Sequence, residues 1–96
     1  MSDSMFYVAK EDVVDCDIGG ERALLNLDSN KYFTLNQTAS EVWVALSERC
    51  SVDQIVKNIT DKYDVAEKTC RSDVESILAS MISANIAQEA GPVEAG

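Results

Sequence analysis

The hydrophobic pattern of this chain changes period once, between Lys31 and Trp43, and that change constrains the fold more than any other feature. Tyr32, Phe33, Thr34 and Leu35 are aromatic, β-branched or large apolar residues suited to a half-buried strand, whereas Ala39, Val42, Trp43 and Leu46 recur at helical spacing. Residues before the switch read as β and residues after it read as α. Strand side chains alternate between faces, so Phe33 and Leu35 point to one side, where they anchor a core, and Tyr32 and Thr34 to the other. We read this last strand as an open sheet edge, and the edge as the functional surface.

Upstream of the switch, Met1 to Ser4 should fray, and Met5 to Val8 suit a short strand or an apolar arm. Val14, Cys16 and Ile18 alternate with Val13, Asp15 and Asp17, a half-buried strand with the first set facing the core. Gly19-Gly20 accepts positive φ at both positions of a tight hairpin. The chain then returns over Glu21 to Leu27, with Ala23, Leu25 and Leu27 as the expected core side. Asp28-Ser29-Asn30-Lys31 is the next turn, where Asp28 can bond backbone amides and Asn30 tolerates the left-handed conformation. Tyr32 to Leu35 closes a three-stranded antiparallel meander.

The helical half is well punctuated. Thr38 with Glu41 and Ser51 with Gln54 each have the form of a capping box, and Asn36 is an equally good cap for the first helix. Ala39, Val42, Trp43 and Leu46 stripe helix one, and Val52, Ile55, Val56, Ile59 and Tyr63 stripe helix two. A third, longer helix starts between Ala66 and Thr69 and buries Cys70, Val74, Ile77, Leu78, Met81 and Ile82. Asn85 suits its left-handed C-terminal position. The fold class is α+β and winged-helix-like: a β-meander followed by three α-helices, one domain over residues 1–88, with 89–96 a disordered tail around Gly91-Pro92.

Charge and composition then exclude functions. The chain has 8 basic and 17 acidic residues, for a net charge of −9, so the clustered cations that nucleic-acid phosphates require are missing. Part of that acidity is a solvated surface that maintains solubility, the reading that suits any single Asp or Glu, and its functional reading is a preference for a neutral or basic partner. With no histidine, imidazole catalysis and the common zinc sets are ruled out. Cys16, Cys50 and Cys70 fit neither a disulfide framework nor a Cys-x-x-Cys site and read as reduced hydrophobes, Cys16 in the core. Asp15 with Asp17 reads as a solvent face, and Asp61, Asp64 and Glu67 lack the glycine and spacing of a calcium loop. No apolar run spans a bilayer and no signal peptide opens the chain, so the expected location is the cytoplasm. No catalytic residue, metal or cofactor is expected.

The residues carry a resemblance. Asp28-Ser-Asn-Lys-Tyr-Phe-Thr-Leu-Asn36, Thr38, Val42-Trp43, Ser51-Val-Asp-Gln-Ile-Val56, Tyr63-Asp-Val65, Asp73-Val74 and Ile77-Leu78 resemble the PqqD-like family over roughly Val13 to Ile86. Ala39, Asn30 and Asn85 stand where glycine is frequent, and the turn before the last strand lacks the Pro-Glu-Arg of PqqD itself. It is closer to the stand-alone recognition proteins of lasso-peptide clusters. The resemblance implies a binding module that captures the leader segment of a ribosomally made precursor peptide. The leader adds as a strand between the last meander strand and helix three, for delivery to a separate leader peptidase, cyclase or other modifying enzyme. By matching position, the implied peptide contacts are Lys31, Tyr32, Phe33 and Thr34 on the strand and Asp73, Ser76, Ile77, Ser80 and Met81 on the helix. Phe33, Ile77 and Met81 also suit a core role, at most flooring a pocket. The alternatives are a PqqD-type chaperone for a radical SAM enzyme, a winged-helix nucleic-acid binder, which the charge opposes, and a structural domain that self-pairs through its edge. The expected oligomeric state is a monomer or weak homodimer.

Overall fold

The computed structural model describes residues 5–19 and 21–92. The chain forms β1 (Met5–Ala9), β2 (Val13–Ile18), β3 (Glu21–Asn26), β4 (Tyr32–Thr34), α1 (Gln37–Ala45), β5 (Cys50–Ser51), α2 (Val52–Lys62), α3 (Glu67–Ser83) and β6 (Ala87–Pro92). The winged-helix-like α+β arrangement holds: β2, β3 and β4 make the antiparallel meander, in that order, and three helices come after it. Gly19 takes φ +62° in the first hairpin. Its neighbour Gly20, residues 1–4, for which fraying was expected, and residues 93–96 lie outside the described residues.

A second sheet, unforeseen in the sequence pattern, joins the chain's two ends. β1 runs between β5 and β6, antiparallel to both. The expectation of a disordered tail from residue 89 is therefore corrected over 89–92. These residues have little β propensity, but the β1 backbone supplies ladder partners that no local pattern reveals. The Lys10 amide extends the tie by donating to the Ile86 carbonyl at 3.0 Å.

The core lies between the meander and the helices and centres on Leu24, Val42, Leu46, Ile55, Val74, Leu78, Met81 and Ile86. Each such side chain contributes about 1.5–3 kcal/mol through burial. Which face of the meander meets this core differs from the sequence reading. The register pairs Leu24 with Asp15 and Phe33, so these share a face, as do Ala23 and Leu25 with Cys16, Val14, Thr34 and Tyr32. The first face packs on the helices through Val13, Leu24, Phe33 and Leu35. Val14, Cys16, Ala23 and Leu25 lie on the far face, outside the helical core, and Leu27 is exposed. Toward the hairpin end of the inner face, Asp15 and Arg22 form an exposed ion pair.

The helix ends agree with the capping signals. Asn36, rather than Thr38, caps α1, its Oδ1 accepting from the Ala39 amide at 2.8 Å. Ser51 and Gln54 form the reciprocal capping box of α2, with bonds of 3.3 and 2.9 Å. Asn85, at φ +60°, ends α3: its amide donates to the Ile82 carbonyl and that of Ile86 to the Met81 carbonyl, the paired bonds of a Schellman motif. Met81 and Ile86 are both fully buried beneath it.

Candidate functional site

β4 pairs only with β3, and among the described residues its other edge has no partner. That edge therefore offers backbone donors and acceptors to an incoming strand. Its position is fixed by one buried polar residue, Asn26. Asn26 Oδ1 accepts from the amides of Asp28 and Ser29 at 2.8 and 2.9 Å, shaping the turn that Asn30 completes at φ +61°. Its Nδ2 donates to the carbonyl of Asn85 at the end of α3. The turn amides thus bond to Asn26, where the sequence pattern had pointed to Asp28. One side chain ties the loop that launches β4 to the C-terminal turn of α3. The sequence reading passed over Asn26 because a polar residue among apolar strand positions resembles an ordinary outward residue. Its signal is the recurrence of asparagine at 26, 30 and 85.

The strand residues expected to meet a peptide divide between two faces. Tyr32 is 66% exposed and shares the far face with exposed Thr34. Phe33 is half-buried against the core, and Lys31 is exposed beside the turn. On α3, a period of 3.6 residues places Asp73, Ser76, Ile77 and Ser80 along one flank. Asp73, Ser76 and Ser80 are exposed there and Ile77 is half-buried against the core. Met81 is 0% exposed and offers no surface to a peptide, so its place among the direct contacts is corrected to a support beneath the site. β4 and α3 both border the core and make little direct contact with each other.

Neighbouring groups brace this frame. Glu41 of α1 accepts from Lys62 at 3.0 Å and from the Tyr63 hydroxyl at 2.8 Å, and these bonds, Lys62 first, hold its carboxyl below the usual range. Burial pushes the Cys50 and Cys70 thiols up, the opposite of what a nucleophilic cysteine requires. Among the described residues no group of three His, Cys, Asp or Glu side chains could hold a metal ion, and no helix is long and apolar enough to cross a membrane.

A winged-helix-like domain whose meander leaves the outer edge of β4 unpaired among the described residues, its turn tied through Asn26 to the end of the last helix, defines the class. The sequence profile of a known family, Coenzyme PQQ synthesis protein D (PqqD), matches residues 21–87. The chain belongs to the PqqD family. Among curated proteins, none matches it. It is similar to TbiB1 in complex with the TbiA(beta) leader peptide, at 27% identity over 84% of this chain and 94% of that one, with a TM-score of 0.73. The fold is shared by lasso peptide synthetase B1 complexed with the leader peptide, at 20% identity over 85% of this chain and 96% of that chain, TM-score 0.72. It is also shared by the PqqD truncation of Methylobacterium extorquens PqqCD, a stand-alone RiPP recognition element, at 19% identity over 86% of this chain and 88% of that chain, TM-score 0.70.

Proposed function

We propose that this protein binds the leader segment of a ribosomally synthesised precursor peptide and delivers it to a separate leader peptidase or cyclase in lasso-peptide biosynthesis. The observation that carries the reading is the free β4 edge in a chain 27% identical to a solved leader complex. The leader adds antiparallel to β4. Its side chains alternate, one set over the far face beside Tyr32 and Thr34, the other over the helix side beside Phe33, Ile77, Asp73, Ser76 and Ser80. The protein acts in the cytoplasm and leaves the chemistry to its partner, since it has no histidine and its buried thiols are held protonated.

Several backbone hydrogen bonds of roughly 0.5–1.5 kcal/mol each, with side-chain burial and less the ordering of a flexible leader, give an affinity around nanomolar to micromolar. The test is titration with a synthetic leader of a precursor encoded beside this chain's gene, and with the same peptide carrying proline in its paired segment. The proline removes an amide donor and should weaken binding sharply. Equal binding of both peptides would show that the leader is not held as a strand. The PqqD profile favours a second reading, a peptide chaperone for a radical SAM enzyme. Which enzyme the loaded complex stimulates decides between the two.

A further inference from the structure

The opposite flank of α3 borders a cavity of about 560 Å³ that the leader reading does not use. At 3.6 residues per turn, Arg71, Glu75, Ala79 and Ile82 lie about half a turn around the helix from Asp73, Ser76, Ile77 and Ser80. The floor of the cavity is apolar, from Tyr7 of β1, Val52 of α2, and Leu78 and Ile82 of α3. Its rim carries Asp53, Glu75, Glu89 and Arg71. The one cation is already matched, since the Arg71 guanidinium lies 2.6 Å from Asp53 and 3.7 Å from Glu67. Glu75 and Glu89 form no ion pair among the described residues, and although Arg71 also attracts Glu75 electrostatically, a single guanidinium faces Asp53, Glu75 and Glu89, so the groove keeps a net negative charge over an apolar base. Their field reaches the floor: after burial, Glu89 and then Glu75 push the Tyr7 phenol up.

We propose that this groove docks a basic amphipathic segment of a partner protein, which lays apolar side chains on Tyr7, Val52, Leu78 and Ile82 and sets Lys or Arg against Glu75 and Glu89. Long cationic side chains suit such a site because their methylene stems cover apolar surface while their heads reach the rim. The partner is the enzyme that receives the leader. Only that identity rests on the leader-binding reading, and the groove's charge preference stands without it. With the leader on one flank of α3 and the enzyme on the other, both can be held at once.

The probes are a short amphipathic Leu/Lys peptide and its Leu/Glu counterpart, titrated by fluorescence anisotropy. The parent protein should bind the first and not the second. Glu75→Lys with Glu89→Lys should weaken Leu/Lys binding about tenfold or more. Glu11→Lys with Asp64→Lys, the same charge change outside the groove, should weaken it less than about threefold. Ala79→Trp fills the groove without altering charge and should also block the peptide, while circular dichroism and leader titration stay at parent values. The proposal is overturned by equal losses in the two charge-reversed pairs, which would mean diffuse attraction, or by tight Leu/Lys binding to the Ala79→Trp variant. It is likewise overturned if light scattering shows a dimer that the groove variants dissolve, which would give the surface to a second copy. A parent protein that binds no leader would defeat the β4 reading alone, because the peptide titrations still decide the groove.

Discussion

Replacing Asn26 tests whether the free edge is held in place from behind. The side chain is 3% exposed and makes three hydrogen bonds, two accepted from turn amides and one donated to α3. At roughly 0.5–1.5 kcal/mol each, their loss in Asn26→Ala sums to about 1.5–4.5 kcal/mol. The lower half of that range is expected, because Asp28 is exposed and water can replace the side chain at its amide. A loss near 2 kcal/mol is large beside a total stability of about 5–15 kcal/mol and corresponds to a fall in Tm of roughly 10 °C. Asn26→Asp divides the effect: a carboxylate still accepts from the turn amides but cannot donate to the Asn85 carbonyl. Urea denaturation of the three proteins, with unchanged m-values, should order them parent, Asp, Ala. Leader affinity, measured well below each midpoint, should fall in the same order as β4 loses its fixed start. An Ala variant within about 0.5 kcal/mol of the parent would refute the argument, since it would mean the turn and helix end hold without the side chain.

Tyr32→Ala should change stability by less than about 0.5 kcal/mol, because the ring is mostly exposed, yet weaken leader binding, whereas Trp43→Ala should lose about 3 kcal/mol from its half-buried place against the core. Thermal unfolding and leader titration of both variants check this, and unfolding by Tyr32→Ala would contradict it. Glu41 has a depressed folded pKa, so its contribution is fully present above the unfolded carboxylate value, about 4.3, and is lost as pH falls through the lower folded value. The stability deficit of Glu41→Gln should accordingly shrink as denaturation is followed from pH 6 to below roughly pH 4. Cys16, half-exposed, should react with a thiol reagent in the folded protein while Cys50 and Cys70, buried and with raised pKa values, react only on unfolding, as peptide mapping would show.

Element type was legible where the signal was local. The period switch at Lys31 to Trp43, the Ser51–Gln54 capping box and the left-handed Asn30 and Asn85 all reappear in the structure. Face assignment was not legible for β2 and β3, because Val13-Val14 and Ala23-Leu24-Leu25 are apolar on both parities. The parities of neighbouring strands cannot be chosen separately once a turn fixes their register. With Phe33 on the core side and Leu24 opposite it, Leu25 and Cys16 must face outward. β5 and β6 were missed for another reason, since each pairs with β1 across a long stretch of chain, Phe6 with Ser51 and Ala9 with Ala87, and no local pattern reveals such a partner. At the β4 edge, the exposure of Tyr32 and Thr34 was legible from strand alternation, and the core role that Met81 suited became full burial in the structure.

The proposed leader edge has to accept a peptide and disfavour a second copy of the same protein, and the shortness of β4 works toward that distinction. The strand is three residues long, so antiparallel self-pairing offers few hydrogen bonds of roughly 0.5–1.5 kcal/mol, less than the roughly 4–15 kcal/mol that association costs. Two copies each carrying a charge of −9 repel as well. A leader escapes both limits. In the binding mode proposed above, it extends past the ends of β4, buries side chains against Phe33 and Ile77, and reaches Asp73 and the serines of α3 with groups that a second β4 does not carry. The Asn26 tie lowers the remaining cost, because an edge already held in register with α3 loses little freedom when the leader arrives. A short, braced strand therefore selects for a long, flexible partner over a copy of itself.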